Sequence, residues 1–199
     1  MAFLAQLAAA FLIWREQYLE AYHLKEAQEP RLRLVHGLGG SYYFETTGQR
    51  SPSLERYQQR LFRVGIVNSG KERCLASVSI QRCVPKIDRI LLDHRLRFMG
   101  RLDANKLPIG SDYVDPHDEP TAYVDVIAEH VFYDGSRCVA IPYEAWESEF
   151  RVAPASFTLT LRVDGGPQSA TYDFRCTVEN GALLFSQVPD VPLLVNGTE

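Results

Sequence analysis

The sequence predicts a mainly β protein, an antiparallel β-sandwich preceded by one N-terminal α-helix, on three observations. Short runs of alternating apolar and polar side chains recur from Leu61 to Val188. Gly- or Asn-centred turns separate them. Residues 1–14 carry no charge and lead into a charged stretch that stops at Pro30.

The apolar start, Met1 to Trp14, continues through Arg15-Glu16-Gln17 as a helix that Pro30 ends. Fourteen helical residues reach roughly 21 Å, short of the ~30 Å hydrocarbon core of a bilayer. Phe11, Trp14, Tyr18 and Tyr22 recur at three- and four-residue steps. Trp and Tyr at the end of an apolar run suit a membrane interface. The segment reads as membrane attachment, as a helix packed on the sandwich or on a second copy, or as a signal sequence. The last fits least, since no positive residue precedes the apolar run. If it inserts, Arg15, Lys25, Arg31 and Arg33 favour a cytoplasmic β domain.

Arg31 to Val35 alternates as a first strand, and His36 to Pro52, rich in Gly, Ser and Thr, reads as a loop. Its Gly37, Gly39 and Gly40 lack the Gly-Lys-Ser/Thr that a phosphate loop requires. Leu61 to Val67 is the next strand, Asn68 to Lys71 a turn, and Cys74 to Ile80 the return, with Cys74, Ala76, Val78 and Ile80 on the core face. Leu91 to Met99 is extended, and Asp103 to Pro120 is polar and proline-punctuated. Tyr123 to Ala128 resumes strand character, and Tyr133 to Ser136 turns into Cys138 to Ile141. Pro142 to Pro154 reads as a connection or short helix. The clearest strand is Phe157 to Val163; Asp164-Gly165-Gly166 breaks it, and Ala170 to Val178 follows with Ala170, Tyr172, Phe174, Cys176 and Val178 on one face. Asn180-Gly181 supplies a hairpin turn into Ala182 to Val188. The last three antiparallel strands with one apolar face require a covering second layer, and seven to nine short strands with regular turns suggest a β-sandwich more than a barrel.

At 199 residues, 46% hydrophobic and 23% charged, the chain supports one core. Its organisation is expected as a helix over 1–29, a candidate membrane anchor, then a sandwich over 30–190 and a tail over 191–199. A formal net charge of -4 with both signs mixed excludes the positive field of a non-specific nucleic-acid binder. Cys74, Cys83, Cys138 and Cys176 show no zinc-type spacing and read as free thiols. Cys74 and Cys176 sit on apolar strand faces, so an inter-sheet disulfide is the alternative.

Asp112, Asp115, His117, Asp118 and Glu119 form the densest run of metal-capable side chains, but they lack the ligand order and central Gly of a calcium loop. Asp115-Pro116 reads as a turn before the Tyr123 strand. His94, His117 and His130 are candidate bases that no nucleophile motif links. Cys83 and Cys138 adjoin Arg82 and Arg137, yet alternation points neighbours to opposite faces, so inert thiols are expected. Trp146, with Tyr143, Phe150, Glu144, Glu147 and Glu149, reads as a cap on the open end of the sandwich. Asn196-Gly197-Thr198 matches a glycosylation acceptor by chance.

Three phrases, Phe62-Arg63-Val64-Gly65-Ile66-Val67-Asn68-Ser69-Gly70, Val114-Asp115-Pro116-His117-Asp118-Glu119 leading into Tyr123-Val124-Asp125-Val126, and Phe157-Thr158-Leu159-Thr160-Leu161-Arg162-Val163, resemble uncharacterised bacterial proteins with an immunoglobulin-like sandwich. In that group the domain often follows a membrane segment and a charged helix similar to Trp14-Arg15-Glu16-Gln17. The resemblance implies an immunoglobulin-like antiparallel β-sandwich preceded by an N-terminal α-helix and carries no catalytic residue across. The expected function is a non-enzymatic interaction module, membrane-associated through its helix with the β domain cytoplasmic, whose partner is another protein. The alternatives are a soluble cytoplasmic subunit of an oligomer and a metal-dependent hydrolase using the loop over 112–119 with His94 or His130. No residue is assigned a catalytic, cofactor-binding or metal-binding role, and no cofactor is expected.

Overall fold

The computed structural model describes residues 2–50, 55–150, 156–165, 169–180 and 182–189. An N-terminal helix, α1 (Ala2–Gln28), is followed by β1 (Leu32–Val35), β2 (Tyr43–Arg50), β3 (Glu55–Asn68), β4 (Cys74–Val84), β5 (Ser111–Val114), β6 (His117–Phe132), β7 (Arg137–Pro142), β8 (Glu147–Phe150), β9 (Ser156–Asp164), β10 (Ser169–Glu179) and β11 (Ala182–Gln187). Two antiparallel sheets result. Sheet A runs β1-β3-β6-β7-β8 with β2 also beside β3, and sheet B runs β11-β10-β9-β4-β5.

One apolar layer lies between the sheets. It takes Val64, Ile66, Val124, Ile127, Val139 and Ile141 from sheet A and Ala76, Val78, Ile80, Leu159, Leu161, Val163, Phe174 and Cys176 from sheet B. Burying side chains of this size stabilises by about 1.5–3 kcal/mol each, before the chain entropy that opposes it. The alternation read in β9 and β10 is the sheet B half of this layer, and Phe174 stacks on Phe185 of β11 with centroids 5.2 Å apart.

Several elements differ from the sequence reading. Residues 43–50, read as loop, form strand β2, whose Gly48 faces Tyr57 of β3 in register. A Cβ on Gly48 would sit 2.4 Å from the Tyr57 ring. That ring covers the glycine and supplies the packing the small residue lacks. Residues 147–150, read as a connection, form β8 because Ser148 and Phe150 alternate inward while Glu147 and Glu149 point away. Strand β6 starts at His117, six residues before the Tyr123 start expected, and Leu91 to Met99 forms only isolated bridges, Leu96 to Tyr143 and Phe98 to Val124 among them. Eleven strands are present among the described residues, where seven to nine were expected. Gly181, the tail over 191–199 and Asn196-Gly197-Thr198 lie outside the described residues, while Asn180 adopts φ 51° at the hairpin.

Cys74, Cys83, Cys138 and Cys176 are buried thiols outside any disulfide. Cys74 (β4) and Cys176 (β10) both belong to sheet B, with β9 between their strands, so the inter-sheet disulfide alternative does not arise. Burial raises the Cys74 and Cys83 thiols above their ordinary range, and Cys176 well above it.

Helix α1 has 27 residues, about 40 Å by the helical rise. Its second half carries Arg15, Glu16, Glu20 and Lys25. Among the described residues, no helix is long and apolar enough to cross a membrane, so a transmembrane form of the candidate anchor over 1–29 is not found. The helix, among the described residues, makes no substantial packing contact with either sheet. Its root is held closely. Asn68, fully buried, accepts the Arg31 N–H (3.2 Å) and the Gly70 N–H (3.0 Å) at Oδ1, and donates through Nδ2 to the carbonyls of Glu72 (2.8 Å) and Val114 (3.3 Å). Gly70 lies so near the backbone of Glu29 and Pro30 that a Cβ there would come within 2.2 Å of the Glu29 carbonyl oxygen.

Candidate functional site on the outer face of sheet A

A sheet face turned away from the core is expected to be polar and solvated. The outer face of sheet A is polar, yet much of it is buried. Register sorts its side chains into rows running across the strands. One row holds Arg63 of β3, Asp125 of β6, Arg97 from the segment inserted beside β6, and Glu147 of β8. The next holds Phe44, Leu61, Ala128, Ala140 and Glu149. A third holds Thr46, Gln59, His130 and Cys138, and a fourth Gly48, Tyr57 and Phe132.

In the first row Asp125, 5% exposed, accepts Arg63 Nε at 2.7 Å on one carboxylate oxygen and Arg97 Nε at 3.2 Å on the other. Arg97 passes on to Glu147 through Nη2 at 3.0 Å. The Arg63 guanidinium also lies over the Phe44 ring, 5.2 Å from its centroid. Leu61, Ala128 and Ala140 form a small apolar cluster of their own, separate from the main core, which lets the long side chains on either side close over the sheet.

In the third row His130 is fully buried. Its Nε2 lies 3.0 Å from the Gln59 amide, its Nδ1 lies 3.4 Å from Glu149 Oε1, and Tyr57 stacks on its ring with centroids 4.2 Å apart. Cys138 stands directly across the β6–β7 ladder from it. One ligand atom each from His130, Cys138 and Glu149 lie within 4.8 Å of one another, the group among the described residues with metal-ligating reach.

Strand β6 carries a second buried acid, Glu129, held by Arg60 (3.4 Å), Arg137 (3.0 Å) and the Leu183 N–H of β11 (3.3 Å). Asp125 and Glu129 are four residues apart and would share a face in a regular strand. The bulge opposite Phe62 and Arg63 inserts one residue in β6 and turns Glu129 inward toward sheet B.

The run over 112–119 is not brought together. Asp112 pairs with Arg101 (2.7 Å), Asp115 with Arg73 (3.2 Å), and the His117 ring takes the Glu119 N–H (2.9 Å). His94, exposed, meets the Leu92 carbonyl at 3.0 Å through its own Nδ1. Trp146 is 44% exposed and packs on the buried Tyr143, centroids 4.9 Å apart. Gly37, Gly39 and Gly40 line an apolar cleft of about 410 Å³ with Leu38, Phe62 and Leu184. There the loop leads from strand to strand, and the two ring nitrogens of His36 face main-chain carbonyls, Nδ1 that of Arg63 at 2.8 Å and Nε2 that of Phe185 at 3.1 Å, whichever nitrogen carries the proton donating to its carbonyl. That ring ties sheet A to sheet B.

The grouping of His130, Cys138 and Glu149 was missed because each was weighed separately. Counting back from a turn over Tyr133 to Ser136 sets His130 opposite Val139; the hairpin closes instead on Phe132 and Ser136, and that one-residue difference brings His130 opposite Cys138. Glu149 joins them only through β8, which carried no clear signal. No protein family matches the chain, and comparison with curated proteins and with solved structures finds no significant match.

Proposed function

We propose that the protein is a non-enzymatic interaction module, an immunoglobulin-like sandwich held at a membrane surface by its N-terminal helix with the β domain on the cytoplasmic side, and displayed there to another protein. The observation that supports this reading is the exposure of Phe11, Leu12, Ile13, Trp14, Tyr18, Leu19, Tyr22 and Leu24, each 40–63% accessible on a helix that, among the described residues, makes no substantial contact with either sheet. Burying a side chain of this kind is worth about 1.5–3 kcal/mol, so a covering environment gains far more than any one contact supplies. The division along α1, apolar before Arg15 and charged after it, suits a helix whose first half enters the interface and whose second half stays in water. Trp14 and Tyr18, stacked at 5.7 Å, stand at the junction where amphipathic rings are favoured.

The test compares the full chain with a variant carrying Phe11→Ser, Leu12→Ser, Ile13→Ser and Trp14→Ser. The native chain is expected to float with anionic vesicles and to need detergent for release from a carbonate-washed pellet, while the variant stays in the supernatant. Equal behaviour of the two chains overturns the reading. A native chain that stays soluble and sediments as an oligomer, with a monomeric variant, replaces it with the helix as a subunit contact.

A further inference from the structure

We propose that His130, Cys138 and Glu149 form a transition-metal site, suited to Zn²⁺, on the outer face of sheet A. The donor set is one imidazole nitrogen, one thiolate sulfur and one carboxylate oxygen, all within 4.8 Å of one another. A tetrahedral zinc ion with Zn–N of about 2.0 Å and Zn–S of about 2.3 Å holds its ligand atoms roughly 3.3–3.8 Å apart. Small side-chain rotations close that difference with the strands in place. The ladder itself fixes the positions: His130 faces Cys138, and Glu149 faces Ala140, two residues along β7 from Cys138.

The surroundings of His130 match what a ligating imidazole requires. A metal-bound histidine is oriented by a hydrogen bond at its other nitrogen. Here Gln59 meets Nε2 at 3.0 Å and Tyr57 lies flat on the ring, which leaves Nδ1 aimed at Glu149. With the metal on Nδ1, Nε2 carries the proton and donates to the Gln59 carbonyl oxygen, reached by a half-turn of an amide whose two ends are assigned only from their partners. Sulfur beside nitrogen selects zinc-like ions over Mg²⁺ and Ca²⁺, which take oxygen. Three protein ligands leave a fourth position for water. The thiols of Cys74, Cys83 and Cys176 belong to no such group among the described residues.

The experiment is titration of the reduced full chain with Co²⁺ and then Zn²⁺, following absorbance. The expected result is one equivalent of Co²⁺ bound with a thiolate-to-cobalt charge-transfer band and tetrahedral visible bands, both erased by Zn²⁺. Cys138→Ser, folded by circular dichroism, loses the charge-transfer band. Gln59→Leu keeps the donors and weakens binding about 10- to 100-fold. A native chain that shows no charge-transfer band at millimolar Co²⁺ overturns the proposal, as does a band that survives Cys138→Ser. If Cys138→Ser does not fold, the half-buried Glu149→Gln decides, and unchanged Co²⁺ affinity in that variant overturns the site.

Discussion

The two outer faces of the molecule are built on opposite plans. On sheet B the outward side chains of β9 and β10 are Thr158, Thr160, Arg162, Thr171, Asp173, Arg175 and Thr177, all at least partly exposed. Their polar contacts are short-range, such as the Thr160 hydroxyl donating to Asp173 at 2.5 Å and Arg162 meeting Asp164 two residues along its own strand at 2.9 Å. On sheet A the outward face holds Asp125, Arg63 and His130 away from water and links residues far apart in the chain. Exposed pairs contribute little, with a median of about 0–1 kcal/mol. A buried charge removed from its partners costs several times more. Both faces are polar, but single substitutions should cost far more on that of sheet A.

The largest effect is expected at Asp125. Asp125→Ala leaves Arg63 and Arg97 without their shared carboxylate and should destabilise by about 3–5 kcal/mol in urea unfolding. A loss below about 1 kcal/mol would erase the contrast between the faces. Replacing the group together, with Arg63→Met, Asp125→Leu and Arg97→Met, should recover most of that loss, because well-packed apolar side chains of similar volume can equal a buried ion group.

Alkaline titration sharpens the comparison from inside the sandwich. Burial pushes the Tyr143 phenol up to about 12, although its oxygen accepts the Leu91 N–H at 2.7 Å and donates to the Leu91 carbonyl at 3.0 Å. A folded-state pKa above the unfolded value of about 10 gives stability that is complete below pH 10 and lost as pH rises toward 12. The loss should reach roughly 1–3 kcal/mol and disappear from the pH profile of Tyr143→Phe, whose own baseline falls by about 1–2 kcal/mol for the missing hydrogen bonds. Cys176 in sheet B follows the same sign from a lower start, near the free thiol value of about 8.5, so Cys176→Ala should flatten the first part of the curve.

Gly48→Ala should displace the Tyr57 ring and cost about 1 kcal/mol or more, with a near-ultraviolet circular dichroism change from the disturbed ring stack. The smallest effect belongs to sheet B, where Arg175→Ala on the exposed face should stay within about 0.5 kcal/mol.

The same contrast explains what was legible in the residues. Phe157 to Val163 and Ala170 to Val178 could be read directly because sheet B keeps a strict period of two, with one face in the core and one in water. Strand β2 hid behind Gly48 and its polar neighbours, since its stabilising partner, Tyr57, lies on another strand. Strand β8 hid because its outward residues are acids that belong to a buried network rather than to solvent. The bulge in β6 changes which face each later residue occupies, so no alternation pattern could separate Asp125 from Glu129. Apolar periodicity records burial in a core; a buried polar surface leaves no such trace.

The junction between α1 and the sandwich has a mechanical consequence. Three residues, Glu29, Pro30 and Arg31, separate the last helical residue from β1, a leash of about 10 Å at full extension. The pinning of Arg31 by Asn68 removes part of even that slack. A pull applied to the helix is therefore transmitted almost at once to β1, which grips β3 through a ladder of only four register pairs, Leu32 with Asn68 to Val35 with Gly65. Strand β3 is held far more widely, by β2 on one side and β6 on the other. Under load β1 is the fuse: it would peel away first and leave the rest of the sandwich standing.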